Sequence, residues 1–361
     1  MRLPDLSITS WVKIGLGAVA LVLAIAAPYM FSSFIIGLFS LALIAGLFSQ
    51  SIDLLAGYSG LVTLGHAGVS ATAAYGVGYM ASKAGAGYPA QLLVGFGVGM
   101  LASLIFGLMA MRSDGVYFIM VTLAQGMIVW GLSIRLFNIT GAENGLTGIA
   151  RPPAIDAYWK YYYFTLAVVV VCWVALGVVV KSPFGISLKG LRESETRMRM
   201  LGYNTTAQKI YVFMVSGFFA TVSGILVVYL NEFISPSAVL LAASAIGVLE
   251  AILGGVGTLV GPMIGAFVIV FVQNVVSIYV DRWPTLMGLI FVVVVLFARR
   301  GIVGAVSDLW WHRIIKTPVE AGEPFQPAAV AFAGEAAVPL EQQPTPPSGG
   351  QEREERGRTT K

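Results

Sequence analysis

The sequence predicts an all-α integral membrane protein, a polytopic bundle of about ten (roughly eight to ten) transmembrane helices. Three observations predict this class. Of the 361 residues, 57% are hydrophobic and 11% are charged, whereas soluble domains are roughly 25% charged. The mean hydropathy is +0.83. The apolar runs are continuous over about 17–23 residues, whereas membrane barrels alternate in segments of about ten.

Each apolar run is expected to be a helix, because lipid offers no partner for free backbone groups. The runs cover residues 13–31, 34–56, 61–81, 90–111, 115–136, 161–180, 208–230, 241–256, 261–280 and 284–298. Runs 61–81 and 241–256 are rich in Gly, Ala and Ser, so a full span and a broken or re-entrant helix are both open for them.

The distribution of charge predicts the orientation. With both termini inside the cell, Arg112, the segment 181–209 and the Arg299-Arg300 pair all lie on the cytoplasmic side, and the loop 137–160 lies outside. The chain then divides into a short cytoplasmic N-terminus (1–12), a transmembrane domain (13–305) and a cytoplasmic tail (317–361). The tail is rich in Pro, Ala, Glu and Gln and is expected to be disordered.

The longest strongly charged segment between two apolar runs is 181–209. Four of its apolar residues share one helical face: Leu188, Leu191, Met198 and Leu201. Ser187 suits the N-cap of a short amphipathic helix over 188–201, Gly202 suits its left-handed end, and Asn204 starts the next helix. From these residues alone, a solvated or interfacial loop remains open.

Two glycine-rich turns, 57–65 and 254–261, look alike. They indicate an internal repeat with interrupted helices, an arrangement that many transporters use near the substrate path.

The sequence contains no motif of a hydrolytic or metal-dependent enzyme and no phosphate-binding loop. We therefore predict no catalytic residues, no metal site, no enzymatic activity and no nucleic-acid partner. Asp53, His66 and Glu250 are the ionisable residues expected at membrane depth, where such groups are costly. Asp53 and His66 flank turns, which favours binding of free backbone groups. For Glu250, lining the path and a structural role are equally open.

Several stretches occur in one order along residues 35–305. They are Gly57-Tyr58-Ser59-Gly60-Leu61 with Leu64-Gly65-His66-Ala67, Val121-Thr122-Leu123, Asn144-Gly145-Leu146-Thr147-Gly148-Ile149, Leu191-Arg192-Glu193 with Glu195 and Leu201-Gly202, Phe233-Ile234-Ser235-Pro236, Leu253-Gly254-Gly255 with Gly261-Pro262, and Arg300-Gly301-Ile302. The ordered set resembles the permease family of branched-chain amino-acid ABC importers, specifically the longer of its two membrane subunits.

Three positions depart from the family pattern and leave the substrate open. Asp53 stands where the family often has Asn, and Met127 replaces a frequent Glu. Ile246 occupies a position often held by Glu, while Glu250 lies one turn further on the same helical face.

The resemblance implies a multi-pass subunit of the bacterial inner membrane that works by alternating access. It would pair with a homologous second permease and two cytoplasmic ATPases, and a periplasmic binding protein would deliver the solute. The chain itself would bind no cofactor, since ATP and Mg would be used by the ATPases. Branched-chain amino acids are the leading substrates, with urea, amides or aromatic acids as alternatives. A stand-alone channel, a secondary carrier and a membrane scaffold are the competing classes.

The resemblance also implies two groups of site residues. The first would couple the chain to the ATPases, with apolar anchors in a groove and charges that fix register: Leu191, Arg192, Glu193, Glu195, Arg197, Met198, Leu201 and Gly202. The second would line the translocation path: Tyr58, His66, Thr122, Gln125, Asn144, Thr147 and Glu250.

Overall fold

The computed structural model describes residues 22, 24–279, 285, 288, 289, 292 and 301–304. In this part of the chain the elements are almost all helical. The longer helices are α1 (Ser33–Asp53), α2 (His66–Ser82), α3 (Tyr88–Ala110), α4 (Gly115–Arg135), α6 (Tyr158–Lys181), α7 (Pro183–Glu193), α9 (Thr205–Asn231), α10 (Leu241–Gly254) and α11 (Gly261–Tyr279). The short ones are α5 (Phe137–Thr140) and α8 (Glu195–Met200). Two short strands, β1 (Leu146–Thr147) and β2 (Phe233–Ile234), pair antiparallel.

The all-α membrane class is confirmed, whereas the count of about ten spans is not. Among the described residues, five helical segments are long and apolar enough to cross a membrane: Ser33–Ser59, Tyr88–Ala110, Gly115–Arg135, Tyr158–Lys181 and Thr205–Asn231. Two shorter apolar helical stretches, Leu241–Gly254 and Gly261–Val275, lie in α10 and α11. The predicted run 13–31 is described only from residue 22 onward, and the run 284–298 lies almost wholly outside the described residues. Residues 1–12 and 317–361 also lie outside them.

The two runs that are rich in small residues form shortened helices. After α1 the chain makes a π-helical turn, Leu54–Ser59, and then a loop, so α2 begins only at His66. Gly60 has a φ of +77° and Gly255 a φ of +124°, conformations that glycine adopts without steric cost. Both glycine-rich turns therefore interrupt helices, as predicted.

Helix α9 lies at the centre of the bundle and packs against α1, α2 and α3. Its small residues allow this close approach. A Cβ on Gly224 would overlap the carbonyl of Ser70, and one on Gly217 would overlap the side chain of Ser103. Large side chains such as Phe213 and Tyr161 fill the remaining space and are fully buried.

The two ends of the bundle differ. One end, called here the coupling end, carries residues 53–60, Asp114, the segment 181–209 and residues 254–258. The opposite end carries the loop 136–157, β1 and β2. Arg151 secures this end: its side chain donates to the carbonyls of Tyr229 (2.8 Å) and Leu230 (2.7 Å) at the end of α9.

Candidate coupling segment and translocation path

The segment 181–209 folds as two helices, α7 and α8, and not as the single helix predicted over 188–201. Ser182 caps α7 by accepting a hydrogen bond from the Gly185 amide (3.3 Å), and Pro183 takes the first helical position. The predicted cap was wrong: the hydroxyl of Ser187 donates to the carbonyl of Phe184 inside the helix. The serine-proline pair was the start signal in the sequence.

The break between α7 and α8 falls at Ser194, which is extended and caps α8 by accepting from the Arg197 amide (3.2 Å). The end of the segment follows the prediction. Gly202 is left-handed, with a φ of +86°, and Asn204 caps α9 by accepting from the Ala207 amide (3.0 Å).

The apolar stripe of the segment faces mostly inward. Leu188, Leu191 and Met198 are buried within the chain, at 0%, 6% and 6% exposure. The expectation that Leu191 and Met198 reach into a groove on a partner is therefore corrected, because both side chains already pack inside this protein. Leu201 differs, since it is 67% exposed. Other exposed apolar residues lie on the same segment: Ile186, Met200 and Tyr203.

A charged cluster fixes α8 to the start of α9. Glu195 accepts from Arg199 (2.6 Å) and from the buried ammonium of Lys209 (2.7 Å), which also pairs with Asp114. Burial raises the pKa of Glu195, but the hydrogen bonds from Lys209, Thr205 and Arg199 outweigh it and hold the pKa below its ordinary value.

The other predicted charges of the segment lie differently. Glu193 and Arg197 are exposed and face each other at 3.7 Å, so both remain open to a partner. Arg192 instead donates from Nη1 to the carbonyl of Gly57 (2.6 Å), in the first glycine-rich turn.

The two glycine-rich turns meet at the coupling end. Oδ1 of Asp53 accepts from the Gly257 amide (2.8 Å), so Asp53 binds a free backbone group as predicted. A Cβ on Gly57 would lie 2.8 Å from the Cα of Gly257, too close for any side chain. We call this contact, formed by Asp53, Gly57, Gly257 and Arg192, the glycine junction. Gly301 packs beside it against Gly255.

A second meeting point lies inside the bundle, where α2 begins. The Leu64 amide donates to the Thr122 hydroxyl (3.2 Å), and the Ala67 amide donates to the Ser244 hydroxyl (3.1 Å). Thr122 lies seven residues after the start of α4, about 10 Å along the helix. The short helices α2 and α10 therefore meet through their first turns within the bundle.

His66 is fully buried at this point, between Phe48 and Phe213. Its Nε2 lies 2.7 Å from the Ser216 hydroxyl, which donates to the carbonyl of Ser51 (2.5 Å). Since Ser216 has one proton to give, Nε2 must be the donor to it. The Nδ1 atom has no partner among the described residues.

The remaining predicted path residues divide into two groups. Tyr58, Gln125 and Glu250 are buried, and Gln125 Oε1 and Glu250 Oε2 have no hydrogen-bond partner within the described chain. Asn144 and Thr147 are exposed at the opposite end, where Thr147 pairs with Phe233 across the two strands. The structure thus joins His66 and Thr122 through residues 64–67 and keeps Asn144 and Thr147 apart from them.

Arg151 was missed as an organising residue. Its guanidinium also pairs with Glu232 (3.3 Å) and lies over the rings of Tyr158 and Tyr161. A cation directly before Pro152-Pro153 in a polar loop was its only signal.

This fold, with helices of membrane-spanning length and two interrupted helices meeting in the bundle, defines a multi-pass α-helical membrane protein. Residues 34–299 match the model of the family described as "Branched-chain amino acid transport system / permease component". Because the match covers well over half of the chain, the protein belongs to this family of membrane transport subunits.

Individual relatives agree with the family. The chain is 27% identical over 309 residues to the high-affinity branched-chain amino acid transport system permease protein LivM of Escherichia coli (strain K12), covering 78% of this chain and 73% of the relative. Identity to the LivM protein of Salmonella typhimurium is 26% over the same coverage. The autoinducer 2 import system permease protein LsrC of Yersinia pestis is 28% identical over 61% of this chain and 65% of its own length. No solved structure matches the chain.

Proposed function

We propose that this chain is the membrane-spanning permease subunit of an ATP-driven importer of branched-chain amino acids in the bacterial inner membrane. The family match over residues 34–299 and the two LivM relatives support this substrate class. Urea, amides and aromatic acids are the alternative substrates, and a stand-alone channel or secondary carrier is the alternative mechanism.

The observation that carries the proposal is the meeting of α2 and α10 at Ala67 and Ser244. Helix N-termini carry partial positive charge, so two of them within the bundle favour a carboxylate nearby. The rings of Phe48 and Phe213 beside His66 supply apolar surface of the kind that an aliphatic side chain prefers. Unpartnered oxygens on Gln125 and Glu250 are acceptors of the kind that an ammonium group needs.

The ATP-driven mechanism rests on the coupling end. The sequence contains no phosphate-binding loop, so ATP would be used by separate subunits. The exposed part of the segment, Leu201, Met200 and the Glu193–Arg197 pair, is the surface we assign to them. Cations outnumber anions on this segment, which supports a cytoplasmic position for it and for both termini.

The assembly would contain a second permease, two ATPases and a periplasmic binding protein. Reconstituting it in liposomes and measuring uptake of labelled leucine tests the proposal. We expect uptake that requires hydrolysable ATP and that isoleucine and valine inhibit. Uptake that is equal without ATP would favour the channel or carrier. Inhibition by urea, an amide or an aromatic acid, but not by valine, would overturn the substrate class.

A further inference from the structure

We propose that Arg192 is a positioning residue that connects the coupling segment to both interrupted helices, so that movement of the segment is transmitted to them through the glycine junction. This inference rests on the proposed function, because it concerns how ATP-driven movement would reach the path. It assigns Arg192 a contact within this chain, in addition to the partner contact that the resemblance implies.

Arg192 is an exposed residue whose side chain contacts the first glycine-rich turn at two points. Its guanidinium donates to the carbonyl of Gly57 at 2.6 Å. Its aliphatic stem packs on Gly60, where an added Cβ would lie 3.1 Å from the Cγ of Arg192. A hydrogen bond from a charged donor is roughly twice as strong as one between neutral groups. Helix α7 therefore holds this turn by a charge-assisted bond and by direct packing.

The second glycine-rich turn is held at the same place. Gly257 donates its amide to Asp53, and a Cβ on Gly257 would lie 3.6 Å from Nη1 of Arg192. The backbones of Gly57 and Gly257 are in direct contact, with no side chain between them. The guanidinium of Arg192 and the side-chain oxygen of Asp53 thus contact the same pair of glycines.

The junction leads directly to the interior. Asp53 ends α1, and the preceding residues of that helix contact the rest of the bundle. The Ser51 carbonyl accepts a hydrogen bond from the Ser216 hydroxyl, which itself accepts one from His66 Nε2. Ser49 donates to the carbonyl of Gly247 in α10 (3.0 Å), and Gln50 donates to the carbonyl of Leu259 (2.9 Å). Displacing α7 would therefore shift the last turn of α1 and, with it, groups around His66 and α10.

Arg192 differs from Lys189, another cation on α7, in the contacts that it makes. Lys189 is an exposed cation on the same helix and has no hydrogen bond or ion pair within the described chain. It therefore supplies a matched control: Arg192→Met and Lys189→Met each remove one cation from α7, but only the first removes the bond to Gly57.

The test uses the full assembly in liposomes and measures three quantities: co-purification of the ATPases, the rate of ATP hydrolysis and leucine uptake per ATP hydrolysed. We expect Arg192→Met to retain the ATPases and hydrolyse ATP while uptake per ATP falls about tenfold, within the range of typical coupling energies. Arg192→Lys, which keeps a charged donor, should recover part of the loss, and Lys189→Met should behave as the wild type.

Two results would overturn the inference. Loss of the ATPases from Arg192→Met would make Arg192 a docking contact, and unchanged uptake per ATP would show that the junction transmits nothing. If Arg192→Met fails to accumulate in the membrane, Asp53 decides the question. Asp53→Asn keeps an acceptor for the Gly257 amide and should transport, whereas Asp53→Ala should hydrolyse ATP with reduced uptake; equal uptake by the two would reject the inference. Failure of the wild type to transport leucine with ATP would instead refute the proposed function.

Discussion

The ammonium of Lys209 lies 2.7 Å from the carboxylate of Glu195, and this pair fastens α8 to the first turn of α9. Lys209 is only 3% exposed and also pairs with Asp114, which precedes α4. A buried cation between two carboxylates is stable only while its partners remain. The coupling segment is therefore bound to two membrane helices by one side chain.

Replacing Lys209 by Met should destabilise the protein by about 2 kcal/mol, because Glu195 would keep only its hydrogen bond from Arg199 and the largely exposed Asp114 would lose its cation. Thermal unfolding in detergent measures the effect. Arg197→Gln is the matched control, since it breaks only the exposed pair with Glu193 and should change stability by less than about 1 kcal/mol. Equal melting temperatures for the two variants would show that the Lys209 cluster does not hold the segment.

Stability should depend on pH through Glu195. Its pKa is lowered in the folded protein, so folding is favoured while the carboxylate is charged. This contribution is complete above the unfolded pKa of about 4.5 and is lost as pH falls below it, through the lower folded pKa. We expect the melting temperature of the wild type to drop more steeply between about pH 5 and pH 3 than that of Glu195→Gln. Parallel curves for the two proteins would contradict this.

Gly65→Ala should disrupt the meeting of α2 and α4. The added Cβ would lie within 2.9 Å of the carbonyl carbon of Thr122, and a main-chain group on a packed helix cannot rotate away. Overpacking of this kind costs about 1–3 kcal/mol. Gly97→Ala on α3 is the control, because nothing lies within 4 Å of its Cβ position and alanine favours a helix. Equal loss of membrane-inserted, folded protein in both variants would count against the close approach.

The substitutions Leu201→Asp and Leu191→Asp should have different effects on ATPase binding and on stability. Leu201→Asp places a charge on an exposed position and should weaken co-purification of the ATPases with little change in melting temperature. Leu191→Asp buries a charge without a partner and should unfold the segment or the protein. If Leu201→Asp still retains the ATPases at wild-type level, the exposed apolar surface of the segment is not their docking site.

Glu250→Gln separates the two roles left open for this residue. Its Oε2 has no partner among the described residues, so replacing this carboxyl group by an amide should leave the melting temperature equal or higher, while leucine uptake changes several-fold. A carboxylate with a purely structural role would show the reverse, with lower stability and unchanged uptake kinetics. Glu143→Gln, at an exposed position of the opposite end, should change neither.

The apolar runs predicted the helix positions best where a helix is apolar along its whole length. The predicted spans 90–111 and 115–136 match Tyr88–Ala110 and Gly115–Arg135 closely, because composition alone decides them. Composition could not predict that Arg192 binds the carbonyl of Gly57, 135 residues earlier, since that contact depends on how α7 folds back under the bundle. The inward packing of Leu191 was hidden for the same reason: periodicity shows a shared face but not what the face contacts.

The hydrogen bond between Ala67 and Ser244 has a consequence for how the protein is made. These residues are 177 positions apart, so most of the chain must be synthesised before the first turn of α2 finds this partner. Until then the Ala67 amide lacks this partner, and an unpaired amide in lipid costs several kcal/mol. The first turn of α2 is therefore expected to reach its final packing only after α10 has been synthesised, which makes this contact a late step in the assembly of the bundle.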